Sequence, residues 1–144
     1  MQIFIREVSE NDVVPITRLS NQLGYPLSVA DTLQNLRSMK GPDEIVFAAL
    51  AGDEIVGWIH AFRTVRLESG TSVEIGGLVV DEDHNRKGIG RALVQKISEW
   101  CAAKGIGSLR VRCNTKRADA HEFYRALGFT ESKQQKVFVT TLIS

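Results

Sequence analysis

The stretch VVDEDHNRKGIGRALVQKISEW, residues 79–100, joins a strand-like run to a strongly helical one through a basic turn that carries glycines. Ile89, Ala92, Leu93, Ile97, Trp100 and Cys101 recur at the spacing of one helical face, and Gly105 supplies a stop. Arg86, Lys87 and Arg91 crowd the start of that helix. Unpaired N–H groups give a helix start a partial positive charge, which favours acidic side chains there. Cations at that end need an anion among them, or neutralisation by Asp81, Glu82 and Asp83 just upstream. Which of the two holds decides the function.

Outward from this stretch the pattern is mixed. MQIFIREV alternates as a strand. Asp12 is read as the N-cap of a helix running to Leu23, with Pro15 tolerated in its first turn. Ser28 and Asp31 form a capping-box pattern for a second helix to Met39. IVFAAL, IVGWIHAFRTVRL and SVEIGGLVV, separated by the polar turns AGDE and ESGT, predict an antiparallel meander. Beyond the central helix, SLRVRC reads as a strand, and Ala120, Phe123, Tyr124 and Leu127 mark a helix stopped by Gly128. KVFVTTL is expected to close the chain as a strand. The order β-α-α-β-β-β-α-β-α-β predicts an α/β (mixed α+β) fold, a mostly antiparallel sheet covered by helices.

The chain has 144 residues, a length that fits one domain over 1–144 with a core of its own. Its 18 Lys+Arg against 17 Asp+Glu exclude a general electrostatic grip on nucleic acid or an anionic membrane, so any basic patch is local. Cys101 and Cys113 lack metal-ligand spacing and read as reduced. His60 and His84 show no metal spacing either, so no metal site is expected. Without a signal pattern or a long apolar run, a cytoplasmic location is expected.

GIGRAL invites a dinucleotide-binding reading but matches it weakly. Leu93 replaces the third glycine, and Arg110 and Arg112 occupy the next strand, where a ribose-binding acid would belong. A P-loop is ruled out by the spacing. What survives is more general: Gly88 and Gly90 let backbone N–H groups point into a shallow bowl rimmed by Arg86, Lys87 and Arg91, a cradle for pyrophosphate. The alternative is a solvated basic turn balanced by Asp81–Asp83.

VVDEDHNRKGIGRALV, preceded by VEIGGL and followed by VRCNTKRADAHEFYRALGF, resembles the GNAT superfamily of acetyl-CoA-dependent N-acetyltransferases over essentially the whole chain. The resemblance implies acetyl-CoA as cosubstrate, with its pyrophosphate on the loop and helix start of Asn85, Arg86, Lys87, Gly88, Ile89, Gly90 and Arg91. Asn85 stands where the family has Gln or Arg, which leaves the backbone cradle intact. Backbone contacts to the pantetheine arm, and an N–H facing the thioester oxygen, are implied at Leu78, Val79 and Val80, and a hydrogen bond to the arm at Asn114.

Acetyl transfer to an amine needs a proton acceptor for the nitrogen, a donor for the oxyanion and a proton for the departing thiolate. Gly76 and Gly77 interrupt an apolar strand, marking a bulge, a close approach or a plain twist. Glu74 on the same strand is either a general base, the role the resemblance implies, or a strand carboxylate that is exposed or salt-bridged to Arg63 or Arg66. Tyr124 is either a core tyrosine or, as the resemblance implies, the general acid toward the coenzyme sulfur. Tyr25, Trp58 and Phe62 are candidates to line the acceptor pocket, although alternation also fits Trp58 and Phe62 as ordinary core.

The function expected is N-acetylation of a primary amine on a small molecule or peptide, by direct attack in a ternary complex. A non-catalytic acyl-CoA-binding or regulatory module is the alternative. No nucleic-acid or membrane partner is expected, and the resemblance allows a homodimer.

Overall fold

The computed structural model describes residues 2–39, 41–84, 87–113 and 117–143. The expected binding residues Asn85, Arg86 and Asn114 lie outside them. The chain forms two units, Met1–Arg112 and Cys113–Ser144.

The first unit is a sheet with helices. Its strands are β1 (Ile3–Glu7), β2 (Glu44–Ala51), β3 (Glu54–Arg66), β4 (Gly70–Val80) and β5 (Leu109–Val111); its helices are α1 (Val13–Gln22), α2 (Val29–Ser38) and α3 (Ile89–Ala103). The strands lie in sequence order, antiparallel from β1 to β4, with β5 parallel to β4. The predicted meander is therefore present. On one face Leu19 of α1 packs with Ala48, Leu50, Ile55 and Val79, and Val8 and Trp58 border the cluster. On the other face α3 presses on β3: a Cβ at Gly57 would meet Ile89 Cγ2 at 3.2 Å and Leu93 Cδ1 at 3.3 Å. Ile59, Leu93 and Ile97 are fully buried, as the helical periodicity predicts.

The caps explain the helix starts, with one correction. Ser28 and Asp31 form the expected capping box at α2. Asp12, read as the cap of α1, makes no side-chain cap bond to that helix. Its carboxylate is already committed, accepting from Ser9 N–H at 2.8 Å and from both Nη atoms of Arg6 at 2.8 and 2.9 Å. Ser9 instead caps a 3₁₀ turn, Glu10–Asp12, that leads into α1. The ion pair is partly buried and holds the Asp12 carboxyl below the usual carboxylate range, the Arg6 hydrogen bond being the largest cause.

The second unit contains α4 (Ala118–Ala126). Its end explains the sequence YRALGF. Gly128 N–H bonds to Arg125 O at 3.0 Å and Phe129 N–H to Tyr124 O at 3.0 Å, the two hydrogen bonds of a Schellman motif, with Gly128 at φ 95°. The apolar contact that accompanies this motif is Phe129 against Tyr124, ring centroids 5.3 Å apart.

The closing strand expected at KVFVTTL is absent: residues 129–143 carry neither helix nor strand. Val137, Phe138, Val139, Leu142 and Ile143 are exposed. A β pattern becomes a strand only against a partner backbone, and this unit offers α4 alone. SLRVRC likewise yields a strand of just 3 residues.

Candidate active site

Gly88 precedes α3 with φ 79°, a left-handed conformation that suits glycine, and open space lies where a Cβ would be. Among the described residues no side chain caps this helix, and its first turn holds no acidic residue. The first backbone N–H groups of α3 thus have no intrahelical acceptor. Ile89 is 1% exposed, so it anchors the helix start in the core.

Among the described residues, none of Asp81, Glu82 and Asp83 forms an ion pair with Lys87 or Arg91. Asp81 is buried and folds back onto its own turn, accepting from Asp83 N–H and His84 Nδ1, each at 3.2 Å. Burial alone would raise its carboxyl; bonds from Asp83 N–H, Gln22 and His84 outweigh this and hold it below the usual range. Among the described residues, neither Lys87 nor Arg91 joins an ion pair. The cations remain available to an anion.

Upstream of this helix, β4 loses its outer neighbour. Pairing with β5 covers only Val73–Ile75, while β4 runs on to Val80 beside β3. Asp81 N–H bonds to Val56 O on β3, and Val73 N–H bonds to Ser108 O on the β5 side. Strand alternation therefore turns the N–H groups of Leu78 and Val80 away from β3, toward the unpaired edge. Val79 N–H is directed at β3 by the same alternation, and its side chain is buried.

Between these two stretches Gly76 forms a bulge. His60 pairs with Gly77 and Ala61 with Ile75, leaving Gly76 as the extra residue. The glycines make room for protein rings: a Cβ at Gly76 would lie 2.7 Å from His60 Nδ1, and one at Gly77 would lie 3.0 Å from the Trp58 ring. Gly76→Ala is therefore expected to cost about 1–3 kcal/mol by overpacking, read as a lower urea midpoint with an unchanged slope.

Glu74 shares this sheet face, opposite Phe62. Its side chain is 13% exposed, and Oε1 lies 3.5 Å from both Arg66 Nη2 and Arg112 Nε. Of the partners considered in the sequence, Arg66 is the one present, and Arg63 pairs with Asp43 instead. Trp58 belongs to the core border, with its N–H buried and without a partner among the described residues, while Tyr25 is exposed.

One group escaped the sequence reading. Glu44 Oε2 lies 3.0 Å from His60 Nε2, and His60 stacks obliquely on Phe62 with ring centroids 5.5 Å apart. In the second unit, the Tyr124 ring packs edge-on against Phe123 and Phe129. Burial pushes its hydroxyl up to about 12; Cys113 adds to the rise and Arg117 opposes it.

Among the described residues no cluster of His, Cys, Asp and Glu is arranged to hold a metal ion, and no helix is long and apolar enough to cross a membrane.

An opened strand edge thus leads, along the chain, into a helix start with no acid in its first turn and with Lys87 and Arg91 beside it. The model of the acetyltransferase (GNAT) family matches residues 12–129, and the chain belongs to that family. It is 27% identical over 114 residues to the uncharacterized N-acetyltransferase YhdJ of Bacillus subtilis, covering 78% of this chain and 80% of that one. It is 31% identical over 144 residues to aminoglycoside N(6')-acetyltransferase type 1 of Stenotrophomonas maltophilia, covering 93% and 90%. In fold it is similar to AAC(6')-Iy in complex with a bisubstrate analog of CoA, with TM-score 0.88, 17% identity and coverage of 99% and 100%. The protein is an acetyl-CoA-dependent N-acetyltransferase.

Proposed function

We propose that the chain moves the acetyl group of acetyl-CoA to a primary amine of a small molecule or peptide, by direct attack in a ternary complex. The observation that carries this reading is the unpaired edge of β4 at Leu78 and Val80, followed in the chain by the acid-free start of α3. Those residues fit the coenzyme: Leu78 and Val80 offer N–H groups to the pantetheine arm and the thioester oxygen. Val79, between them, turns its N–H and C=O toward β3 and is assigned on the family pattern alone. Gly88, Ile89 and Gly90 offer backbone N–H groups to the pyrophosphate, flanked by Lys87 and Arg91, and Asn85, Arg86 and Asn114 are assigned here on the family pattern alone. Acetyl-CoA supplies the activated acyl group when bound.

Tyr124 is assigned as the acid that protonates the departing sulfur, for which a hydroxyl that keeps its proton at neutral pH is suited. Glu74 remains the carboxylate that the family pattern marks as base, with the condition that Arg66 and Arg112 yield it first. The activity of the Stenotrophomonas relative favours small polyamines of the aminoglycoside kind within the wider amine class. We take residues 1–144 as one acetyltransferase domain, since the family match runs through both units. A cytoplasmic location is proposed, and a homodimer on the family pattern.

Titration calorimetry separates this reading from dinucleotide binding: heat is expected with acetyl-CoA and none with NADPH. The reverse result rejects it.

A further inference from the structure

We propose that His60, oriented by Glu44, is the group that takes the proton from the acceptor nitrogen. The inference rests on the acetyl-transfer reading above and moves the role of base from Glu74, which Arg66 and Arg112 hold, to His60.

The geometry begins with the tautomer. An ionised Glu44 only accepts hydrogen bonds, so His60 Nε2, 3.0 Å from Oε2, carries the hydrogen in this contact. The lone pair of a neutral ring is then on Nδ1. That atom lies over the bulge, 2.7 Å from the place a Cβ of Gly76 would take. Glycine at 76 is what lets the imidazole lie there.

The location follows from register. His60 pairs with Gly77, just before the stretch of β4 whose outward N–H groups are assigned to the thioester. Its side chain is 17% exposed, so it is held in place yet reachable. The charged groups on this sheet face include Arg6 on β1, which Asp12 holds, Glu44 on β2, Glu74 on β4, Arg66 on β3, and Arg110 and Arg112 at and beyond β5. Glu74 is occupied by Arg66 and Arg112, both 3.5 Å away. The Nδ1 of His60 has no such competitor among the interactions of the described residues.

In the step, the free amine attacks the acetyl carbon and the C–N bond forms. The nitrogen gives one proton to Nδ1, the C–S bond breaks, and the sulfur takes a proton from the acid assigned to Tyr124. Imidazolium and phenolate then exchange one proton through solvent, which restores both. Glu44 never meets substrate; it is a positioning residue.

The test combines a spectrum and kinetics. In ¹⁵N-labelled wild-type protein without ligand, NMR is expected to show the neutral His60 ring protonated at Nε2, and Glu44→Gln to weaken that preference. An Nδ1-protonated ring overturns the proposal, whatever the variants do. His60→Gln, checked for folding by circular dichroism, is expected to lose about 10²-fold in kcat/KM. It should also lose one ionisation from the acidic limb of the pH profile, with acetyl-CoA affinity unchanged. Glu74→Gln is expected to keep that ionisation. Wild-type rates and profile in His60→Gln, or loss of the ionisation in Glu74→Gln alone, overturns the proposal while acetyl transfer stands. A wild type that binds acetyl-CoA and acetylates no amine overturns the reading beneath it and the proposal together.

Discussion

Gly88→Asp is expected to abolish acetyl-CoA binding in a chain that still folds. Gly88 has φ 79° with open space around its Cβ position, so a side chain there meets no neighbour. Aspartate is among the residues that tolerate this conformation, and a carboxylate at a helix start is favourable to the helix. The fold therefore loses little. Binding loses much, because the new charge takes the first-turn N–H groups and faces the pyrophosphate. Two unit charges 4 Å apart repel by about 4 kcal/mol at an effective dielectric near 20, which is roughly three orders of magnitude in affinity. Calorimetric titration checks it. A folded variant with wild-type affinity would remove the pyrophosphate from this loop.

Tyr124→Phe is expected to lower turnover by about 10²-fold while the affinity for acetyl-CoA stays as it was. Phenylalanine keeps the edge-on contacts to Phe123 and Phe129, so α4 and its Schellman end are preserved. Only the hydroxyl is lost. With the wild-type hydroxyl raised to about 12, the acid form persists through neutral and mildly alkaline pH. No alkaline fall in rate is therefore expected from this group below that value. Steady-state rates against pH check both statements, and a Phe variant with normal turnover returns Tyr124 to a packing role.

Much of this was legible in the sequence because it rests on local signals. The helix period from Ile89 to Cys101, the box at Ser28 and Asp31, and the stops at Gly105 and Gly128 all act within a few residues. Asp12 was misread because its carboxylate is taken by Arg6, a partner supplied by β1 and not by the helix. The strand at KVFVTTL was misread for a related reason: alternation marks a segment able to pair, and pairing needs a second backbone.

At the site, the glycines of β4 left a bulge, a close approach and a plain twist open; the register shows the bulge, with His60 and Trp58 lying on them. The His60–Glu44 contact was hidden by register. The turn pairs Ala51 with Glu54, and an unbroken ladder from there would set His60 opposite Ile45. The irregularity at Ala49/Leu50 shifts the ladder by one residue, so that His60 meets Val46 and Glu44 shares its face from beside Phe62. A single bulge moved a carboxylate from one side of the sheet to the other. The balance of charge around α3 was undecidable for a similar reason. Whether Asp81 neutralises Lys87 and Arg91 depends on its inward turn toward His84, which composition cannot express.

Release of free thiol from acetyl-CoA, followed against a panel of amines that includes aminoglycosides, polyamines and peptide N-termini, tests the central claim most directly. Thiol release that requires both the protein and one class of amine, and yields the N-acetyl product in equal amount by mass spectrometry, is the result expected. Acetyl-CoA bound tightly with no amine-dependent thiol release across the panel would contradict it, and would leave the chain an acyl-CoA-binding module.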